Sequence, residues 1–133
     1  MKTVINRLIP FEGFVAITIW PFVFVRKDEL DRFDSVAANH EDIHGEQQKE
    51  MLAVGALLGG LMVMITGSLW WLLLVPVYFW WYLTEYALRS ISGTGNAYRN
   101  ISFEREAYAN EADMCYIKDR PAFAWLLYMS RRK

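Results

Sequence analysis

His40-Glu41-Asp42-Ile43-His44-Gly45-Glu46-Gln47-Gln48-Lys49-Glu50, followed without a break by MLAVGALLGGLMVMIT at 51–66, is the stretch that decides how this chain is read. Residues four apart stand above one another on one face of a helix, so His40 and His44 can offer two imidazoles to a single ion. Glu41 falls on the adjoining edge, where it can reach a water held by that ion without binding the ion itself. Both histidines of the chain belong to this HExxH pattern. A chance occurrence in a chain of this length is expected at well under about one in a hundred for average composition. A metal site on a helix is therefore the expectation, with Zn2+ as the ion. From residue 51 to 66 the same helix carries no charge, so it reads as leaving water and entering lipid.

Downstream, Thr66-Gly67-Ser68 is a turn signal, and a second uncharged stretch rich in Trp and Leu runs from 69 to 84. The simplest reading is a helical hairpin whose first arm continues the motif helix over 35–66 and whose second arm covers 69–88. Each apolar arm has about 16 residues, or roughly 24 Å of helix, a little short of a typical hydrocarbon core. Gly55, Gly59 and Gly60 put small residues where the second arm can approach closely, and Pro76 can kink that arm. Trp70, Trp71, Trp80, Trp81 and Tyr82 stand near its two ends, where amphipathic rings favour a membrane interface. Every Lys and Arg lies outside 51–84, which places both termini and the motif on the cytoplasmic side of an integral membrane protein. The loop at 92–96 lacks the lysine of a phosphate-binding loop. Residues 103–114 read as a further helix with Ser102 as its cap, within a segment 102–114, and the tail at 120–133 is apolar, then basic.

Upstream, FVAITIWPFVFV at 14–25 is β-branched and aromatic and is interrupted by Pro21. It reads as two short strands or one bent strand, too short to cross a bilayer as a helix. One of its edges can pair with an extended peptide or simply cover the motif helix. The polar stretch at 26–34 reads as a loop or short helical turn, after which Ser35 or Asn39 can cap the motif helix. Residues 1–34 thus form a β-rich N-terminal element. MKTVINRLIP lacks the apolar core and small-residue cleavage site of a secretory signal, so no leader is expected.

The chain has 133 residues, enough for one domain. Its formal charge of -1 gives no electrostatic footprint for nucleic acid. The hydrophobic fraction of 54% is more than so small a soluble core can hide. With Cys115 alone, neither an intrachain disulfide nor a thiolate zinc cluster can form. A di-iron site would need a second ExxH, and a histidine-box hydroxylase many more histidines. The fold class expected is mainly α and membrane-embedded: a hairpin continuous with the HExxH helix, a small β element and a later Glu-bearing helix.

A catalytic zinc takes three protein ligands and an open position for water. There is no third histidine, which leaves the carboxylates Glu104, Glu106, Glu111 and Glu85 as candidates. The order of HExxH, two apolar arms and then Glu104-Arg105-Glu106-Ala107 resembles the gluzincin-type integral membrane proteases. Among these are the prenyl proteases, the heat-shock membrane proteases and the antirepressor proteases of β-lactam sensors. In the prenyl and heat-shock group the third-ligand glutamate opens an E-x-x-A-D pattern. That resemblance implies a minimal zincin-like fold, His40, His44 and Glu104 as zinc ligands, and Glu41 as the general base. The substrate it implies is a peptide or protein met at the lipid surface. The match departs at Tyr108, where those families have an aspartate that supports the site. Tyr98, Arg99, Arg105 and Tyr108 are candidate donors to an oxyanion. The rival expectation is a non-enzymatic two-span membrane protein in which HExxH is structural or degenerate and the hairpin acts by assembly.

Overall fold

The structure, a computed structural model, describes residues 1–93 and 95–130; Thr94 of the 92–96 loop and the basic residues 131–133 lie outside the described residues. Asp34, and not Ser35 or Asn39, starts the motif helix: its carboxylate accepts the Ala37 N–H at 2.9 Å and so satisfies a donor that the first turn leaves free. From there α1 runs over Ser35–Thr66 as one continuous helix about 48 Å long. It ends where Gly67 takes a left-handed conformation and returns its N–H to Val63 O at 2.8 Å, a stop that glycine makes without strain.

The first half of α1 is enclosed and the second half is not. Buried positions crowd between Asn39 and Met51, whereas beyond Met51 only Gly55 and Gly59 are buried. The apolar stretch of α1 is long enough to cross a membrane, and 17% of that window is buried by the rest of the chain. Met64 is 83% exposed and Trp70 80%.

The return limb differs from the single helical arm expected over 69–88. Leu69–Leu74 winds as a tight 3-10 helix, the chain turns at Val75 and Pro76, and α2 begins afresh over Val77–Ser92. Pro76 lacks an N–H and its ring crowds the preceding turn, so a continuous helix is lost there. The Leu73 carbonyl freed by the break accepts the Trp80 indole N–H at 2.8 Å. At Gly59 an added Cβ would lie 2.7 Å from Trp71 O, and at Gly55 it would meet Leu74 O and Val75 O. These two glycines are therefore where the return backbone presses against α1. Gly60 has nothing within 4 Å and takes no part.

The N-terminal element has three strands: β2 Ala16–Ile19 and β3 Phe22–Arg26 are the two short strands read at 14–25, and β1 Lys2–Asn6 adds a third, in the order β1-β3-β2. β1 is parallel to β3 and β2 antiparallel to it. KTVIN is too short to announce itself by alternation. The polar stretch after β3 forms a 3-10 helix at Lys27–Arg32. β2 is an edge strand, with only Thr18 of its residues buried. Arg26 N–H bonds Val15 O, and by the alternation of an antiparallel ladder the peptide groups of Thr18 and Trp20 face outward. Both are already taken: Gln48 on α1 donates to Thr18 O at 2.8 Å and accepts Trp20 N–H at 2.8 Å. The strand covers the site helix at these positions, and the open edge considered for a peptide is closed there.

After α2, α3 spans Ser102–Asn110 and α4 spans Tyr116–Asp119, with a 3-10 turn at Ala124–Tyr128. Ser102 is not the cap of α3. It is the first helical residue, and its hydroxyl donates to Glu85 on α2 at 2.6 Å. The core joins α1, α2, α3 and the C-terminal turn through Met51, Tyr78, Ile101, Phe103 and Trp125. Tyr78 stacks on Phe103 with ring centroids 4.5 Å apart, and Trp125 closes over Phe103 at 4.8 Å.

Candidate metal centre

α1 presents His40 and His44 one turn apart, and α3 crosses beside them with Glu104 in its first turn. The two Nε2 atoms are 3.1 Å apart. Glu104 Oε2 lies 3.5 Å from His40 Nε2, and Glu104 Oε1 lies 3.4 Å from His44 Nε2. One ligand atom from each of the three residues falls within 4.8 Å of the others. All three side chains are buried, Glu104 at 2% exposure. His40, His44 and Glu104 form a group that can hold a metal ion.

The donor set fits a cation. His40 Nδ1 is 2.7 Å from Glu111 Oε2 and His44 Nδ1 is 2.8 Å from Gln47 Oε1. Each Nδ1 thus has an acceptor of its own, and each Nε2 is left to face the centre. Glu104 Oε2 is buried with no hydrogen-bond partner, an atom that folding should not leave bare. A cation between the three supplies what this oxygen and the two opposed ring nitrogens lack.

Without an ion, protons fill that role. Burial would depress the His44 imidazole, but the neighbouring Glu104 and Glu41 carboxylates outweigh it and lift its pKa to about 9. Burial likewise favours the neutral form of Glu104, yet the His44 and His40 rings hold it well below the usual carboxylate range.

The surroundings account for the other candidates. Glu41 is buried, and its Oε2 accepts the Thr18 hydroxyl at 2.7 Å. Glu111 stands behind His40, and Tyr108 lays its ring edge against His40 at 4.7 Å. Glu106 is bound by Arg120, Tyr116 and Gln47. Glu85 is bound by Arg89 and Ser102. Neither is a member of the group around the two imidazoles. Burial raises the Tyr98 phenol, and the nearby Glu104 carboxylate adds to that rise. Arg99 stacks over the Tyr108 ring at 4.4 Å, and Arg105 follows Glu104 on α3, half-buried.

Three partners were not foreseen. Tyr82, expected at a lipid interface, instead donates its hydroxyl to Glu104 Oε1 at 2.8 Å. Tyr78, one turn earlier on α2, brings its hydroxyl 3.4 Å from His44 Nδ1. Asn39 donates to the carbonyls of Glu111 at 2.9 Å and Asp113 at 3.0 Å, tying the end of α3 to the motif. The i, i+4 spacing of Tyr78 and Tyr82 was the available signal.

No protein-family model matches the chain, and no curated protein or solved structure matches it either.

Proposed function

We propose that this chain is a membrane-embedded, zinc-dependent metallopeptidase that cleaves a peptide or protein substrate close to the lipid surface. The observation that carries the proposal is the convergence of His40, His44 and Glu104, distant in sequence but together in space, with Glu41 beside them on the same helix. The order of motif helix, apolar hairpin and glutamate helix, similar to gluzincin membrane proteases, supports the choice of reaction.

His40, His44 and Glu104 would hold the ion. A zinc ion with three protein ligands supplies a Lewis acid and lowers the pKa of water at its open position. With the ion bound, Glu41 would be the residue to accept a proton from water at that position and to return it to a leaving amine. Thr18 steadies the Glu41 carboxylate while leaving its other oxygen for the proton. Tyr98, close enough to Glu104 for that carboxylate to raise its phenol, is a donor for charge developing on a carbonyl oxygen. The exposed apolar flank of α1 and of Leu69–Leu74 rests in lipid, with the motif and both termini on the cytoplasmic side.

The burial of all four residues favours a second reading, a non-enzymatic two-span membrane protein whose ion staples α1 to α3. Glu41→Gln separates the two. In a peptidase it keeps zinc and abolishes hydrolysis of a fluorescent casein or a peptide library by the detergent-solubilised chain. A wild type that binds zinc but cleaves neither probe leaves the staple.

A further inference from the structure

Gln47 lies three residues past His44 and therefore on the same helix face. It is fully buried, at 0% exposure. Its amide nitrogen donates to Phe103 O at 3.1 Å and to Glu106 Oε2 at 3.0 Å. A carbonyl and a carboxylate only accept, so the amide cannot be turned round. Its Oε1 must face His44 Nδ1, 2.8 Å away, and that ring nitrogen must be the donor. In the neutral ring the Nε2 then keeps the lone pair, aimed at His40 and Glu104.

Glu106 is itself unable to move. It is at 0% exposure and accepts from Tyr116 Oη at 2.9 Å and from Arg120 Nε and Nη2. Arg120 also grips Glu50, whose carboxylate receives the Phe123 N–H at 2.8 Å. A buried ion pair of this kind gives little net stability against an apolar replacement, so its worth here is sought in what it orients.

We infer that Gln47 is a positioning residue for the metal centre: it sets the ring orientation and tautomer of His44, and the buried Glu106–Arg120 pair sets the polarity of Gln47. This rests on the metal reading above. A pure packing role would tolerate an apolar side chain of the same length. A positioning role would not, because His44 would be free to turn or to exchange its tautomer.

The test compares wild type with Gln47→Met and Gln47→Glu in detergent. Zinc affinity is read by competition with a chromophoric chelator, and ligand geometry by the visible spectrum of the Co2+-loaded chain. Gln47→Met should weaken zinc about 10- to 100-fold and shift the cobalt bands. Gln47→Glu keeps an acceptor for His44 Nδ1–H but sets a second oxygen against Phe103 O and Glu106 Oε2, so it should lower the stability of the metal-free chain yet bind zinc more tightly than Gln47→Met. If Gln47→Met lowers only the melting temperature of the metal-free chain and leaves affinity and bands as in wild type, the role is structural and the inference fails. Two-bond 1H–15N spectra of zinc-loaded wild type test the same point without a mutation. They should show His44 protonated at Nδ1 and bound through Nε2, and the reverse arrangement overturns the inference alone. A wild type that takes up no zinc overturns the metal reading with it.

Discussion

The Tyr82 hydroxyl on α2 donates to Glu104 on α3 at 2.8 Å, so the return limb of the apolar hairpin is built into the candidate metal centre. Tyr82→Phe removes a hydrogen bond to a buried carboxylate, an interaction worth about 1.5–3 kcal/mol. The chain should lose stability of that order, and its zinc affinity should fall about 10-fold or more. Thermal unfolding with and without zinc measures both. Unchanged affinity would mean that Glu104 is held without α2.

The two arms meet backbone to side-chain-free backbone at Gly55. Gly55→Ala drives a methyl group into Leu74 O and Val75 O and should cost about 1–3 kcal/mol through overpacking. Gly60→Ala meets nothing within 4 Å and should be neutral or stabilising by up to about 1 kcal/mol from helix propensity. Melting curves of the two variants in one detergent check the contrast.

Cys115 is exposed and lies on the motif side, whereas Ser68 lies at the hairpin tip. With the topology proposed, a membrane-impermeant maleimide added to intact cells labels Ser68→Cys in a Cys115→Ser background. It should leave native Cys115 untouched until the cells are lysed. Labelling of Cys115 in intact cells would invert the orientation, and extraction of the chain by alkaline carbonate would remove it from the bilayer.

Zinc uptake should expel protons. The metal-free His44 imidazole, lifted to about 9, is protonated at pH 7, and a ligand must give its proton up. Rising pH removes the competitor, so zinc affinity should increase with pH and level off above about 9. Calorimetry in two buffers of different ionisation enthalpy should report release of about one proton per zinc at pH 7. No release would mean that the ion does not displace a proton from His44.

Much of the candidate site was legible in the chain because it is local or chemically distinctive. His40, Glu41 and His44 sit on a single helix whose 3.6-residue period brings the ring pair together. Glu104 stood out only through the similar order of elements in a known family. Nothing in its own neighbourhood set it above Glu106, whose partner Arg120 lies 14 residues on. The hairpin was visible from charge alone, yet the break at Val75 and Pro76 was foreseen only as a kink, and β1 was missed. Gln47, Thr18 and Tyr82 act through contacts across long stretches of sequence, and no periodicity marks a glutamine that reaches Phe103 and Glu106. The cap fell to Asp34, one residue before the serine proposed for it.

Metal analysis of the detergent-solubilised chain tests the metal centre most directly. Wild type and Glu41→Gln should carry stoichiometric zinc, and His40→Ala, His44→Ala and Glu104→Ala should each lose it while remaining folded by circular dichroism. Wild type free of zinc after purification without chelators and exposure to the metal would contradict the centre. Full zinc content in Glu104→Ala would contradict the role given to α3.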